Sequence, residues 1–315
     1  MTISIRPFME KLIDYAGLYP PAELPMQAAI QQYHSYMLDP DSWMLGKFVI
    51  PVSRLNELAP YKRMFSADHP LTLSVIGNRS RSASECQTLL SGCIEWIEDF
   101  RNQYQLSAVV DTLELPLPSI PIEHELLRAI AHESSAAGLR AFCELTYPLG
   151  ANWALAMTEA IRQFAAFNAD SEVKLGIKLR TGGVTAAAFP SPSQVAAVLA
   201  ACRDGRVPMK FTAGLHHPVR MFRDEVSTKM HGFLNMFFAG LLAHEHGLDR
   251  AAITAILEDE EPARFIFSSN GEGIRWQELD MSPGSVKRYR ASSLISYGSC
   301  SFDEPRDELR ELGQL

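Results

Sequence analysis

Short apolar runs alternate along this chain with longer segments in which apolar residues recur at helical spacing. The runs KFVIPV from Lys47 and LTLSVI from Leu71 have the length and the β-branched content of buried strands. Residues 84–104 instead carry apolar positions three and four residues apart, which is typical of an amphipathic helix. The predicted strands lie near residues 12, 47, 71, 108, 139, 174, 208 and 264.

Strands that alternate with helices favour parallel βαβ units, and eight such units predict an α/β fold, the (β/α)8 TIM barrel. We expect one barrel domain over residues 1–315. Residues 274–315 are interpreted as a C-terminal extension packed on the barrel, because Tyr297, Cys300 and Phe302 give this polar tail apolar anchors. A dinucleotide-binding fold is not favoured, since no GxGxxG follows the first strand.

The amino-acid composition and net charge limit the kinds of molecule that the protein is expected to bind. The 315 residues are 47% hydrophobic with a net charge of −8, so we expect a small-molecule substrate and neither nucleic acid nor a membrane. The sequence is compatible with a homo-oligomer. Five scattered cysteines without a CxxC pair indicate no disulfide framework, and the start of the chain lacks the apolar segment of a signal peptide. A reduced, cytoplasmic setting is therefore expected.

Two lysines stand out because each lies inside a predicted strand. Lys178 and Lys210 are 32 residues apart, about one strand–helix–strand unit, and each strand ends in a glycine-containing turn. Flanking apolar residues predict that both side chains point into a core or a site. An inward lysine can bind an anion or pair with a buried acid, or it can act as a nucleophile toward carbonyl groups when its pKa is lowered.

Two carboxylates are the candidate partners of these lysines. Asp111 lies within the fourth predicted strand, where a carboxylate is costly unless it is paired. It is interpreted either as a structural partner of a lysine or as a proton shuttle tuned by Lys210. Glu144 ends the fifth predicted strand, where it could orient Lys178 or bind a metal ion.

Polar residues near the predicted strand ends are the candidate substrate contacts, because active sites of TIM barrels lie at that face. Backbone N–H groups of the glycine turns can hold an anion, and of the adjacent histidines we expect one to contact a ligand and the other to pack. The candidate substrate-binding residues are Asp14, Glu144, Arg180, Gly182, Gly183, Gly214, His216, His217, Ser268 and Ser269.

Three of these segments resemble class I aldolases of the deoxyribose-phosphate aldolase type. Residues 177–183 (IKLRTGG) are similar to the strand end with that family's Schiff-base lysine, and residues 209–214 (MKFTAG) to the turn with its second lysine. Residues 108–113 (AVVDTL) are similar to the strand with its catalytic aspartate. The resemblance is distant and spans residues 10–272. It implies that Lys178 forms the Schiff base, that Lys210 lowers the pKa of Lys178, and that Asp111 moves protons.

The departures from the family pattern concern the substrate more than the lysines. Leu179-Arg180 replaces a small polar pair, and His216-His217 replaces the family's continuation after the second turn. The resemblance therefore predicts a carbon–carbon lyase of carbohydrate metabolism that uses neither metal nor cofactor. Its expected substrate is a small carbonyl compound that carries a phosphate or a carboxylate.

Two alternatives belong to other classes. In a metal-dependent barrel enzyme, Glu144 and His216 would hold a divalent ion. In a non-catalytic barrel, Lys178 and Lys210 would bind an anion or another small molecule.

Overall fold

A computed structural model describes residues 4–315, in which eight parallel strands close into a barrel. The barrel strands are β1 (Ile13–Tyr15), β2 (Leu45–Pro51), β3 (Leu71–Ile76), β4 (Ala108–Pro116), β5 (Arg140–Glu144), β6 (Gly176–Arg180), β7 (Met209–Thr212) and β8 (Leu294–Ser299). Each strand pairs with its neighbours in chain order, and β8 closes the ring between β7 and β1. The predicted TIM barrel is confirmed.

The eighth strand is not where the sequence placed it. The run at 264–268 contains the strand Phe265–Phe267, but this strand pairs antiparallel with Ile274–Trp276 in a small sheet completed by Leu279–Met281. The assignment of the last barrel strand to this run is therefore wrong. Residues 274–315, expected as an extension, contain β8 itself, whose small residues Ser296 and Gly298 dilute its apolar signal.

Ten helices flank the barrel in the described part of the chain. They are α1 (Ile5–Met9), α2 (Met26–Met37), α3 (Ala83–Tyr104), α4 (His124–Ala136), α5 (Trp153–Asp170), α6 (Pro192–Asp204), α7 (Phe233–His246), α8 (Arg250–Glu258), α9 (Pro283–Ser292) and α10 (Asp303–Glu311). A long 3₁₀ helix, Val52–Met64, follows β2 in place of a regular α-helix. No helix among residues 4–315 is long and apolar enough to cross a membrane.

Local sequence signals explain several helix ends. Ser191 begins α6 with a capping box, in which its side chain accepts from the Gln194 N–H and Gln194 binds back to the Ser191 N–H. Gly247 ends α7 in the left-handed conformation at φ 62°, which glycine adopts without a steric penalty. Helix α7 is buried throughout residues 233–243, because it packs between β8 and the small antiparallel sheet.

The hydrophobic core lies between the barrel and its helices, whereas the barrel interior is polar. Phe8, Phe238 and Phe267 exemplify the outer layer, with ring centroids 5.1–5.5 Å apart. Inside the barrel, buried polar side chains come from seven different strands. They are Asp14, Ser74, Thr112, Glu114, Glu144, Lys178, Lys210 and Ser296. Burying charges is costly unless they are paired, so the pairing inside the barrel identifies the candidate site.

Candidate functional site

Lys178 and Lys210 are direct register partners on β6 and β7, and both are buried inside the barrel. The Lys178 Nζ lies 2.7 Å from Glu114 Oε2 and 2.9 Å from Glu144 Oε2. The side chain of Lys178 is 4% exposed, so these carboxylates replace its water. Lys178 is thus held between a carboxylate of β4 and one of β5.

Lys210 has a second pair of acidic partners. Its Nζ lies 2.9 Å from Asp14 Oδ2 and 2.5 Å from Glu114 Oε1, and it donates to the hydroxyl of Ser74 at 3.2 Å. The two oxygens of Glu114 therefore accept from different lysines. Ser74 also donates to Glu114 at 2.7 Å, which completes the hydrogen bonding around this carboxylate.

Six charged groups of alternating sign form one connected series, which we call the interior charge chain. Its members in order are Asp14, Lys210, Glu114, Lys178, Glu144 and Arg180. Three positive and three negative groups leave it without net charge. At one end of the interior charge chain, Asp14 accepts a hydrogen bond from the Ser296 hydroxyl at 2.6 Å. At the other end, the Arg180 side chain is 47% exposed to solvent. A buried polar network of this kind is stable only when every member is satisfied.

The charge chain shifts the pKa of both lysines and of Glu114 in the direction of their charged forms. Burial alone lowers the pKa of Lys178, but the adjacent Glu114 and Glu144 carboxylates outweigh it and raise that pKa. In the same way, Asp14 and Glu114 raise the pKa of Lys210 against the effect of burial. Burial alone raises the pKa of Glu114, and its two lysines more than reverse this. Both lysines are cationic at neutral pH.

The expected effect of Lys210 on Lys178 is therefore wrong. The prediction assumed that one ammonium repels the other and lowers its pKa. The Glu114 carboxylate lies between the two ammonium groups and attracts both, so the pKa of Lys178 is raised.

Asp111 does not pair with Lys210, and Glu114 takes the interior position instead. The Asp111 side chain is 54% exposed and forms its ion pair with Lys47. The cause is an irregularity in β4: Leu73 pairs with Val110 and Ser74 with Thr112, so Asp111 has no partner in the ladder. The acid three residues further along β4 faces the lysines.

A pocket of about 290 Å³ opens at the C-terminal ends of β5 and β6. The Glu144 carboxylate lines this pocket, and its Oε2 lies 2.9 Å from the buried Lys178 Nζ. Arg180 binds Glu144 at 3.1 Å, and Arg79 from the loop after β3 supplies a second cation. The remaining lining residues are Leu145, Thr146, Tyr147, Leu149, Trp153, Leu179, Ala188 and Pro190.

Tyr19 is a neighbour of the charge chain that the sequence interpretation missed. It lies in the loop after β1, and its buried hydroxyl has no hydrogen-bond partner among residues 4–315. Burial, together with the Glu114 and Glu144 carboxylates, raises its pKa, which places the hydroxyl within electrostatic reach of the charge chain. Its only sequence signal was a tyrosine directly after a barrel strand, at the face where ligands bind.

Gly182 and Gly214, which were predicted to contact the substrate, pack against each other in the structure. Gly214 has a φ of +75°, and a Cβ there would lie 3.0 Å from the Cα of Gly182. Thr181 donates its hydroxyl to the carbonyl of Ala213 at 2.6 Å, which joins the two turns. A Cβ on Gly183 would lie 2.8 Å from that of Ala188. Close packing against neighbouring residues, together with the positive φ of Gly214, explains these glycines without an anion.

Ser268 and Ser269 do not reach the charge chain. Because Phe265–Phe267 is not a barrel strand, Ser268 lies beside α1, where its carbonyl accepts from the Ser4 hydroxyl at 2.8 Å. Their predicted substrate contact depended on the wrong eighth strand.

His216 and His217 lie at the C-terminal ends of β7 and β8, next to α10 and not beside Glu144. His216 contacts Cys300, with Nδ1 and Sγ 3.6 Å apart, and burial lowers the pKa of His216 to about 4. His217 binds Glu308 at 2.6 Å. The predicted metal pair of Glu144 and His216 is not brought together: within the described residues, the grouping of at least three candidate metal ligands is His217, Glu304 and Glu308.

A larger cavity of about 820 Å³ opens at the opposite, N-terminal end of the barrel. Lys210 and Asp14 reach it from the interior, and Lys47 and Asp111 lie along its wall. The charge chain thus extends from this cavity at one end to the Glu144 pocket at the other.

Comparison with known proteins adds no family assignment. No protein-family model matches the chain, and no curated protein does. One similar solved structure is a xylose isomerase-like TIM barrel/4-hydroxyphenylpyruvate dioxygenase fusion protein, at 14% identity and a TM-score of 0.44, over 75% of this chain and 37% of the other. Another is the carboxyl transferase domain of Rhizobium etli pyruvate carboxylase with pyruvate and biocytin. It has 11% sequence identity and a TM-score of 0.46, over 99% of this chain and 56% of the other.

The chain thus spans between about a third and just over half of these neighbours. At such identities and TM-scores they carry no argument about activity. The class of the protein rests on its own topology: a closed (β/α)8 barrel with a charged interior.

Proposed function

We propose that the protein is a carbon–carbon lyase in which Lys178 forms a Schiff base with a small carbonyl substrate. The observation that supports this most is the position of the Lys178 Nζ, held 2.7 and 2.9 Å from two carboxylates, one of which lines a pocket at the C-terminal face. Carboxylates in contact with an amine can accept and return its protons.

The charged resting state is compatible with this chemistry because the proton has a short path. The Lys178 ammonium passes a proton to Glu144, and the neutral amine then attacks the substrate carbonyl carbon. A proton then moves from the nitrogen to the resulting alkoxide oxygen, which gives a neutral carbinolamine. Glu144 returns its proton to the departing hydroxyl, which leaves as water. The product is a protonated imine, which can accept the electron pair of the bond that breaks.

The pocket sets the substrate class. Its volume of about 290 Å³ holds a small molecule, and Arg79 and Arg180 at its rim favour a carboxylate or a phosphate. Arg180 already binds Glu144, so a substrate anion competes for the guanidinium and frees Glu144 to accept the lysine proton. Tyr19 offers its unpaired hydroxyl to the carbonyl oxygen.

The alternative of an anion-binding barrel is less well supported. Each lysine is already within 2.9 Å of two carboxylates, so an added anion would give the interior chain a net negative charge. The anion would also have to displace contacts that stabilise the fold.

Reductive trapping tests the proposal. The full chain is incubated with 2-oxoacids, aldehydes and phosphorylated ketoses, reduced with borohydride, and measured by intact mass and peptide mapping. We expect one adduct per chain on Lys178, lost in both Lys178→Arg and Lys178→Met and retained in part in Lys210→Arg. The matched control Lys229→Arg alters an exposed lysine paired with Glu260 and should trap like the wild type.

Two outcomes contradict the proposal. One is an adduct that persists in folded Lys178→Met, and the other is the absence of an adduct with every carbonyl class in the wild type. Melting curves of each variant separate a lost nucleophile from a lost fold.

A further inference from the structure

We propose that His217, Glu304 and Glu308 form a binding site for one divalent transition-metal ion, separate from the Lys178 pocket. This inference does not depend on the lyase activity. Each residue offers one ligand atom, and these three atoms all lie within 4.8 Å of one another. Imidazole and carboxylate ligands together suit Zn²⁺ and its neighbours in the first transition row.

The backbone holds the three ligands from two directions. Glu304 and Glu308 are four residues apart on α10, so they share one face of that helix. His217 comes from the loop after β7 and is buried, with 5% of its side chain exposed. The site is therefore at the C-terminal face of the barrel, where it joins the last helix to the seventh strand.

The imidazole orientation fits metal binding. His217 Nδ1 lies 2.6 Å from Glu308 Oε1, so a metal ion bound by both atoms would replace the proton that they share. Nε2 of the same ring lies 4.0 Å from Glu304 Oε1, and the Glu304 side chain would turn inward on binding, since two ligand atoms of a tetrahedral ion are roughly 3.3 Å apart. Glu304 is 41% exposed, which leaves an entry path and a coordination position for water.

Charge around the three ligands favours a cation. The two glutamates face one guanidinium, that of Arg223, 3.4 Å from Glu308. Neutral donors stand nearby, since His216 Nδ1 lies 3.7 Å from Glu304 Oε2 and Cys300 lies next to that histidine. One positive group for two carboxylates leaves an excess that a bound cation would neutralise.

A separate observation also points to a ligand at this place. Tyr297 is fully buried, and its hydroxyl has no hydrogen-bond partner in the described chain. Its ring stacks on Phe233, whose N–H donates to the His217 carbonyl at 3.0 Å, and its hydroxyl is within electrostatic reach of both glutamates. A metal-bound water would satisfy this hydroxyl, since buried polar groups are otherwise almost always paired.

Metal titration of the untagged full chain tests the proposal. After treatment with EDTA and desalting, the protein is titrated with Zn²⁺ by calorimetry and with Co²⁺ by visible absorption. We expect one ion per chain, cobalt d–d bands, and a raised melting temperature with Zn²⁺. His217→Ala and Glu304→Gln should each weaken binding at least tenfold.

Matched variants keep the test specific. Glu311→Gln changes an exposed acid of the same helix, and His246→Gln changes an exposed histidine at the end of α7; both should bind like the wild type. Glu304→Gln alters a half-exposed side chain, so it remains informative if His217→Ala fails to fold. No saturable Zn²⁺ or Co²⁺ binding, saturation by Ca²⁺ or Mg²⁺ alone, or undiminished binding in folded Glu304→Gln overturns the proposal.

Discussion

Lys178 and Lys210 are direct neighbours across β6 and β7, yet their ammonium groups do not oppose each other, because both bind the carboxylate of Glu114. The buried Glu114 carboxylate thus lies between two buried lysine ammonium groups. The arrangement stabilises the cationic form of each lysine, so the amine becomes a nucleophile only by transferring a proton within the ion pair. Catalysis of the proposed kind would therefore depend on a substrate that rearranges these contacts.

Glu114→Gln should destabilise the protein strongly, because it leaves two buried ammonium groups without the carboxylate between them. Removing one partner of a buried pair costs about 3–5 kcal/mol of the free energy of unfolding. Chemical denaturation at pH 7 measures this loss. Asp111→Asn removes the half-exposed carboxylate of the same strand and should cost less than about 1 kcal/mol. Equal losses in the two variants would contradict the interior role of Glu114.

Tyr19→Phe should separate stability from function. The Tyr19 hydroxyl is buried without a partner among residues 4–315, so its removal should leave the free energy of unfolding unchanged or slightly increased. If the hydroxyl binds the substrate carbonyl, the same change should raise the half-saturating carbonyl concentration for borohydride trapping several-fold. Tyr104→Phe removes another buried hydroxyl, at the end of α3, that has no partner in the described part of the chain, and it should leave trapping unchanged. Equal trapping by both variants would remove Tyr19 from the site.

His231 should make the fold sensitive to mild acid. Burial lowers its pKa from 6.5 to about 4, so its contribution to stability is complete above pH 6.5 and is lost as pH falls toward 4. At about 1.4 kcal/mol per pKa unit, the loss is about 3 kcal/mol. His231→Gln keeps a donor for the Pro190 carbonyl but cannot be charged, so its stability should fall less over this pH range. Denaturation at pH 7, 5.5 and 4 measures the difference.

The control for this pH series is His69→Gln, an exposed histidine that should leave the acid sensitivity unchanged. Acid sensitivity that is identical in His231→Gln and the wild type would show that His231 is not the group responsible.

The five cysteines should be inert in the folded protein. All are buried, and burial raises the pKa of Cys300 to about 11 and that of Cys93 to about 12. Since the thiolate is the reactive form, a chromogenic disulfide reagent at pH 8 should find almost no thiol in the native state and five after denaturation. Rapid reaction of one equivalent in the native protein would reveal an accessible thiolate and contradict this burial.

The sequence was sufficient for most of the barrel. Strand β3 is predicted and observed at Leu71–Ile76, and six other strands lie within a few residues of their predicted places. Apolar runs show that a strand exists, but they do not show which strand it pairs with. For that reason Phe265–Phe267 was assigned to the barrel, and β8, with Ser296 and Gly298, was not recognised.

The candidate site was predictable only in part. Lys178, Lys210 and Glu144 could be found because a charge inside an apolar run must be buried with a partner. The choice between Asp111 and Glu114 depended on the irregular pairing of β3 with β4, which no residue type signals. The direction of the Lys178 pKa shift depended in turn on that choice, because the carboxylate between the lysines is what raises the pKa. Tyr19 could not be recognised because it belongs to a loop whose path follows from tertiary packing.

Closure of the barrel by β8 has a consequence for how this chain folds. Ile13 pairs with Tyr297, and 297 − 13 = 284 residues separate them. At about 5–20 residues per second of synthesis, β1 waits roughly 15–60 s for its second neighbour to be made. During that time one edge of the unfinished sheet is open, and Asp14 lacks the Ser296 hydroxyl that binds it in the native state. The nascent chain therefore exposes an unpaired strand edge at β1 during this time, and we expect shielding of that edge during synthesis to raise the yield of folded protein.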